Sequence, residues 1–297
     1  MLNRSTCLKV LCLHFFLVFT FSLAAQKNLF ITGILVDSVS KEPLPFANIG
    51  IVKKNVGGIT DDRGEFLLTI PNQYRSDTLT FRYVGYEEVQ IPVARWLTAK
   101  RQEVFLKPKT DLLEEVLINA KKVRRKKMKI GVKSYTSYVY TYIYDEETAY
   151  REEASQKIDL GVDSVKILSF NIHLNHISSD SAQFQVLFYS IDPQTSEPQN
   201  LVQYKPLLFK QALPQEEHTW FTVDLSDKEI WMQGEVFAAI AFMRYSSGKQ
   251  SFAPFYGQNL FKVNKGLTYY RSHALGTWKE ISPALCIYLE VEKPILR

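Results

Sequence analysis

Between residues 30 and 106 the chain alternates apolar and polar residues in short runs, and turn-forming residues separate these runs. The clearest runs are residues 30–37, 46–52, 64–70, 77–84 and 103–106. Because successive side chains of a β-strand point to opposite faces, a period of two predicts strands with one buried face. Turn chemistry occurs at Gly57 and Gly58, at residues 61–64 and at Gly85; Gly64 and Gly85 are expected to adopt positive φ angles. The pattern predicts a small β-sandwich over residues 26–110.

Longer alternating runs follow in residues 134–297. They cover residues 135–144, 165–174, 182–192, 218–226, 235–245 and 284–291, and Pro and Gly residues lie between them. Long strands joined by wide loops favour a jelly-roll sandwich over a meander barrel. The sequence therefore predicts an all-β protein made of two β-sandwiches.

Residues 111–133 separate the two predicted sandwiches. The first ten of them fit either an added strand or a short amphipathic helix. Eight Lys and Arg residues then lie between Lys121 and Lys133 with no acid among them, and this run accounts for the net charge of +5. We interpret residues 111–133 as a connector whose basic run is solvated. The alternative is contact of Lys121 to Lys133 with anionic lipid headgroups or lipopolysaccharide phosphates.

The first 25 residues have the features of a secretory signal peptide. Arg4 and Lys9 precede an apolar stretch at residues 10–23, and small residues follow before Gln26. Cleavage there would leave Cys286 as the one cysteine, which its apolar surroundings predict to be a small buried residue. No later apolar stretch is long enough to span a bilayer, so we expect no transmembrane segment in the mature chain. An exported chain is not expected to bind nucleic acid.

Four phrases of the first predicted sandwich occur in a characteristic order. They are G-x-L-V-D, P-L-P-F-A-N-I, G-x-x-T-D-x-x-G-x-F and Y-V-G-Y. In this order they resemble the carboxypeptidase-regulatory-like, or transthyretin-like, domain. The resemblance implies a β-sandwich module and does not imply an activity.

Two further resemblances concern the rest of the chain. Residues 111–120 resemble the stretch that follows this domain in outer-membrane TonB-dependent transporters of the starch-utilisation type, but the remaining chain is too short for their barrel and lacks its strand pattern. Phrases such as F-x-V-x-F-Y-S-I-D and W-F-T-V-D-L-S loosely resemble galactose-binding-like jelly rolls. These resemblances imply a protein of the Gram-negative envelope, in the periplasm or associated with the outer membrane.

Motifs for catalysis are missing from the sequence. It contains no H-E-x-x-H, no H-x-x-E, no G-x-S-x-G and no P-loop. We therefore predict no catalytic residue, no metal site and no cofactor, and we expect that the protein is not an enzyme.

Aromatic and polar residues gather in the second predicted sandwich. The candidate ligand-binding residues are Trp220, Tyr256, Asn259, Tyr269, Arg271 and Trp278. Exposed rings at a sandwich edge would stack on sugars, whereas the alternation of the strands favours a core position for many of these rings.

Three classes of function remain open at this point. The favoured one is an exported, non-catalytic cell-envelope protein that binds or scaffolds an envelope protein or glycan. The second is a carbohydrate-binding protein that uses the loops of the jelly roll, and the third is a hydrolase with an unrecognised site. The missing motifs disfavour the third class.

Overall fold

The structure is a computed structural model, and it describes residues 28–97, 102–109, 124–134, 152–177, 181–203, 205–212, 214, 216, 219–245, 252–254, 267–281 and 284–295. Strands dominate this part of the chain, and its helical turns are two 3-10 segments, Asn72–Tyr74 and Val93–Leu97. The predicted all-β class is confirmed.

Seven strands form the first module, residues 28–109. They are β1 (Leu29–Asp37), β2 (Asn48–Ile51), β3 (Val56–Ile59), β4 (Glu65–Ile70), β5 (Thr78–Arg82), β6 (Val89–Pro92) and β7 (Gln102–Leu106). A three-stranded sheet has the order β4-β1-β7, and a four-stranded sheet has the order β3-β2-β5-β6. One apolar core joins the two sheets, with Phe66, Phe81 and Trp96 in mutual ring contact at its centre. The predicted first sandwich is thus present.

The turns of the first module agree with the sequence in two places and differ in one. Gly64 and Gly85 have φ angles of 72° and 83°, as expected. Gly57 and Gly58, expected to form a turn, lie instead within β3, and the turn between β2 and β3 falls at residues 52–55. Asn55 has a φ of 52° there, because asparagine tolerates the left-handed conformation that this turn needs.

Thirteen described strands form the second module, residues 124–295. They are β8 (Arg125–Gly131), β9 (Glu152–Asp159), β10 (Val165–Ile177), β11 (Ser181–Ile191), β12 (Pro198–Leu201), β13 (Leu207–Ala212), β14 (Thr219–Asp224), β15 (Trp231–Met232), β16 (Glu235–Tyr245), β17 (Phe252–Pro254), β18 (Thr268–Arg271), β19 (Lys279–Ile281) and β20 (Ile287–Pro294). A six-stranded sheet has the order β14-β10-β20-β8, with β15 and β17 also on β10. A seven-stranded sheet has the order β12-β11-β16-β9-β18-β19, with β13 also on β11.

The largest apolar core of the protein lies between these two sheets. Phe170 and Ile172 of β10 meet Phe184 and Phe242 of the opposite sheet, and all four are essentially fully buried. This arrangement confirms a second β-sandwich, whereas its finer assignment as a jelly roll stays a prediction. Cys286 is buried, and burial raises the pKa of its thiol to about 12, as expected of a small core residue rather than a nucleophile.

The described part of the basic run is largely exposed, as expected, but it is a strand of the second module rather than a connector. Arg125–Gly131 forms β8, which pairs antiparallel with the last strand, β20. Two acids of β20 favour this pairing, because Glu290 stands opposite Lys129 and Glu292 stands opposite Lys127. These acids are far away from the basic run in the sequence. Residues 111–120, the start of the basic run at Lys121 and the predicted strand at 135–144 lie outside the described residues.

Candidate functional site

The outer face of the seven-stranded sheet is where the two modules meet. Leu187, Tyr189 and Phe237 form an apolar cluster on this face together with Tyr269 and Trp278. Val84 of the first module, 5% exposed, belongs to the same cluster. It lies next to Gly85, whose positive φ shapes the turn after β5. The Y-V-G-Y phrase therefore delivers a side chain that contacts the second module.

A second contact joins the β2–β3 turn to the loop after β18. The Lys53 N–H donates to the carbonyl of Leu275 at 2.9 Å, and the Thr277 N–H donates to Asn55 Oδ1 at 2.9 Å. The Thr277 hydroxyl donates to the carbonyl of Lys53 at 3.1 Å. These bonds fix the turn on the loop through backbone as well as side-chain groups.

Two glycines permit this close approach. Gly50 and Gly57 are cross-strand neighbours in β2 and β3. A Cβ atom at either position would lie only 2.9 Å or 2.6 Å from the carbonyl oxygen of Ala274. The physical role of Gly57 is thus to leave room for the second module rather than to make a turn.

Arg271 and Glu153 form a buried ion pair at this junction. Arg271 Nη2 lies 2.8 Å from Glu153 Oε2 and donates a second hydrogen bond, of 2.9 Å, to the hydroxyl of Tyr189. Its guanidinium carbon is 4.1 Å from the centre of the Trp278 ring. Burial alone would lower the pKa of Arg271, but Glu153 and Tyr189 outweigh it, so the pKa is raised and the charge retained.

Three of the six residues proposed from the sequence therefore share one place. Tyr269, Arg271 and Trp278 are 5%, 6% and 9% exposed, so their rings and charge are turned toward the junction and are not available for sugar stacking. The core interpretation of Trp278 is confirmed. Tyr256 and Asn259 lie outside the described residues. Sequence analysis missed Glu153, which stands in no recognisable motif. It also missed the role of Val84, because the Y-V-G-Y phrase identifies the first module and does not reveal a contact with a distant segment.

Trp220 lies apart from the junction, on the outer face of the six-stranded sheet. Its half-buried ring makes edge contacts with Tyr288, at 4.7 Å between ring centres, and with His173, at 5.0 Å. Beside it the Thr222 hydroxyl donates to Asn171 Oδ1 at 2.8 Å. An aromatic ring next to hydroxyl and amide groups is the chemistry that sugar sites use.

Side chains of the neighbouring strand β20 compensate part of the positive charge of β8. Arg125 forms an ion pair of 3.0 Å with Glu292, and the ammonium of Lys129 lies over the ring of Tyr288. Among the described residues no acid forms an ion pair with Arg124 or Lys126. The basic character that remains is therefore concentrated at the start of the strand.

An apolar surface is exposed on the three-stranded sheet of the first module. Phe30, Leu67 and Phe105 are 72%, 58% and 44% exposed, although each lies on a strand whose alternate residues are in the core. Leu67 pairs with Thr32, two residues from Phe30, so these two side chains are near neighbours, whereas Phe105 pairs with Val36 toward the other end of β1. Phe30 and Leu67 together expose on the order of 200 Å² of apolar area, and adjacent exposed apolar side chains mark interaction sites more often than scattered single residues do.

The described residues contain neither a cluster of metal ligands nor a membrane-spanning helix. No group of three or more His, Cys, Asp or Glu side chains among them is placed to hold a metal ion. Nor does this part of the chain include a helix with the length and apolarity required to cross a membrane.

The first module has a recognisable family. Residues 31–118 match the CarboxypepD_reg-like domain. The match covers the strands of the first module, and its Y-V-G-Y phrase supplies the contact of Val84 with the second module. The predicted resemblance of the first module is confirmed. No curated protein matches the chain.

Two solved structures have low similarity to the chain. The cysteine protease and lectin-like domains of Cwp84, a surface layer associated protein of Clostridium difficile, are 15% identical with a TM-score of 0.35, over 49% of this chain and 32% of that chain. The structure of infectious bursal disease virus Gx strain is 8% identical with a TM-score of 0.21, over 90% of this chain and 62% of that chain. The chain spans less than two thirds of either structure, and these TM-scores are too low to indicate a shared fold.

Proposed function

We propose that the protein is an exported, non-catalytic scaffold of the cell envelope that holds its CarboxypepD_reg-like module against a second β-sandwich and presents it to another envelope component. The junction carries this proposal. It combines a buried ion pair, an apolar cluster and a turn bonded through its backbone, which favours one fixed body over two loosely tethered domains.

The neighbouring exposed side chains of Phe30 and Leu67 support a protein as the partner. A stable symmetric dimer needs about 800 Å² from each copy. The exposed apolar area of these side chains is less than half of that, so a contact with a short segment of another envelope protein fits this face better than a second copy does.

Export and contact can be tested together in the source cells. We expect the chain in the periplasmic or outer-membrane fraction, with a mature amino terminus at Gln26. A photo-crosslinking amino acid in place of Leu67 should give a discrete adduct that is lost when Phe30 is changed to Ser. The same amino acid in place of Val202, which is 40% exposed on the second module, is the control. A cytoplasmic chain that retains Met1, or identical adducts from both positions, would contradict the proposal.

Glycan binding is the second candidate function, and the surroundings of Trp220 favour it. In this case Trp220→Ala should abolish retardation in polysaccharide-containing native gels, while Trp231→Ala on the same sheet should not. Equal mobility of wild type and Trp220→Ala in every gel would remove this candidate. We also propose that the protein lacks hydrolase activity, so turnover of peptide, ester or glycoside substrates by the purified chain would overturn the non-catalytic assignment.

A further inference from the structure

Strands β8 and β20 pair at one edge of the six-stranded sheet. One face of this pair begins in the apolar core and continues past the core to solvent. Directly opposite residues in an antiparallel ladder share a face. Val291 pairs with Met128, Lys293 pairs with Lys126, and the Ile295 N–H donates to the carbonyl of Arg124 at 2.7 Å. Val291 is buried in the core, whereas Met128 is 37% and Ile295 is 45% exposed. The face therefore changes from core to a mixture of cationic and apolar side chains.

A neighbouring loop adds a third exposed apolar side chain to the same place. Asp163 forms an ion pair of 2.8 Å with Lys293, which brings residues 161–163 next to the ladder. Val162 within this loop is 90% exposed. The Gly234 N–H donates to the carbonyl of Gly161, and the Leu160 N–H donates to the carbonyl of Gly234, so two backbone bonds hold the loop; both glycines have positive φ. Val162 therefore lies in a hydrogen-bonded turn and is exposed to solvent.

We refer to Arg124, Lys126, Met128, Val162, Lys293 and Ile295 as the basic tip. Its charge is positive, since three cations face one acid, Asp163. The other cations of β8 lie near β20: Arg125 pairs with Glu292, Lys127 stands opposite Glu292 in the ladder, and Lys129 lies over Tyr288. Exposed apolar side chains among cations fit an anionic membrane surface, where the cations meet phosphates and the apolar groups enter the headgroup region.

We propose that the basic tip docks the protein on an anionic lipid surface. This inference rests on the proposed envelope role and deepens it by naming the surface to which the scaffold is attached. It also assigns the contact to a part of the basic run, Arg124, Lys126 and Met128. Val162, Lys293 and Ile295, which are distant in sequence, complete the contact.

Sedimentation of the mature full-length chain with vesicles tests the proposal. We expect binding to phosphatidylcholine vesicles that contain phosphatidylglycerol and none to pure phosphatidylcholine, with binding at about 0.1 M salt lost at about 1 M. Arg124→Gln and Lys126→Gln should each weaken binding about fivefold. Val162→Ser should weaken it roughly tenfold without changing the salt dependence.

Matched controls lie on the first module. Arg63→Gln removes an exposed cation and Val39→Ser an exposed valine, and neither should change vesicle binding. Three results would overturn the proposal. The tip and control variants could lose vesicle binding equally, or the wild type could bind neutral vesicles as well as anionic ones. Inorganic phosphate could also displace the protein from the vesicles. Absence of vesicle binding by a correctly exported chain would overturn it as well and would leave the scaffold function standing.

Discussion

Arg271 stands directly opposite Glu153 in the β18–β9 ladder, and their side chains form an ion pair of 2.8 Å beside Tyr189 and Trp278, which share an apolar cluster with Val84 of the first module. Both side chains are buried, with 7% and 0% of their surface exposed. Taking two charges out of water is costly, and their attraction repays it only when further hydrogen bonds are made. The bond from Arg271 to Tyr189 and the ring of Trp278 supply such contacts.

Removing one partner of this pair should be strongly destabilising. Glu153→Gln leaves the buried guanidinium of Arg271 without its counter-charge, and we expect a loss of about 3–5 kcal/mol in the free energy of unfolding, measured by urea denaturation. The double variant Arg271→Met with Glu153→Leu should cost less than the single change, because no buried charge is then left unpaired.

The control for this change is the surface pair Arg82–Glu88 on the first module, whose side chains are 34% and 31% exposed. Glu88→Gln should cost no more than about 1 kcal/mol. Equal effects of Glu153→Gln and Glu88→Gln would mean that the junction does not bury the ion pair as described.

A methyl group at Gly57 should loosen the junction. The added Cβ of Gly57→Ala would lie 2.6 Å from the carbonyl oxygen of Ala274, so the β2–β3 turn must move away from the loop. We expect a loss of about 1–3 kcal/mol and faster hydrogen exchange at the N–H groups of Lys53 and Thr277. Unchanged exchange at both amides would contradict the role given to this glycine.

The core of the first module depends on Phe66. This ring is 5% exposed and contacts Phe81 and Trp96, so Phe66→Ala should cost about 3–5 kcal/mol in urea denaturation of the full chain. Phe30→Ala is the matched control, because that ring is 72% exposed and its loss should change stability by less than about 0.5 kcal/mol. A larger loss of stability from Phe30→Ala than from Phe66→Ala would contradict the assignment of Phe66 to the buried face and Phe30 to the exposed face.

The carboxylate of Asp37 provides a test with pH. A hydrogen bond of 2.7 Å from the Tyr86 hydroxyl, followed by the Val39 N–H, holds the pKa of Asp37 below its ordinary value of 3.8. A depressed pKa contributes stability above the ordinary value, and that contribution is lost as the pH falls through the folded-state pKa. Tyr86→Phe should raise the pKa of Asp37 in a carboxyl NMR titration.

The stability difference between wild type and Tyr86→Phe should follow the same linkage. It should be largest above the ordinary pKa of aspartate and shrink as the solution becomes more acidic. A difference that stays constant across this range would show that the Tyr86 hydroxyl does not stabilise the charged form of Asp37.

Short-range patterns predicted about half of the described strands. The alternation at residues 64–70 and 235–245 corresponds to β4 and β16 within a residue at each end, because the spacing of two reflects one buried face. Gly64 and Gly85 were predicted correctly, since a turn next to an alternating run leaves few conformations open.

Contacts between distant segments were not predictable in the same way. The basic run was interpreted as a connector because Glu290 and Glu292, which pair with β8, lie at the other end of the chain. Gly57 was assigned to a turn because its sequence does not reveal the approach of Ala274. Alternation favoured a core position for many of the aromatic rings, but it could not show that Trp278 shares a buried cluster with Val84 of the first module.

The central claim is that the junction makes the two modules one body, and the most direct measurement is ¹⁹F NMR of the full chain labelled with 5-fluorotryptophan during urea unfolding. Trp96 reports on the core of the first module, and Trp220 and Trp231 report on the six-stranded sheet of the second. We predict that their native signals disappear at one common urea concentration in the wild type and at separate concentrations in Gly57→Ala. Separate transitions in the wild type would contradict the account.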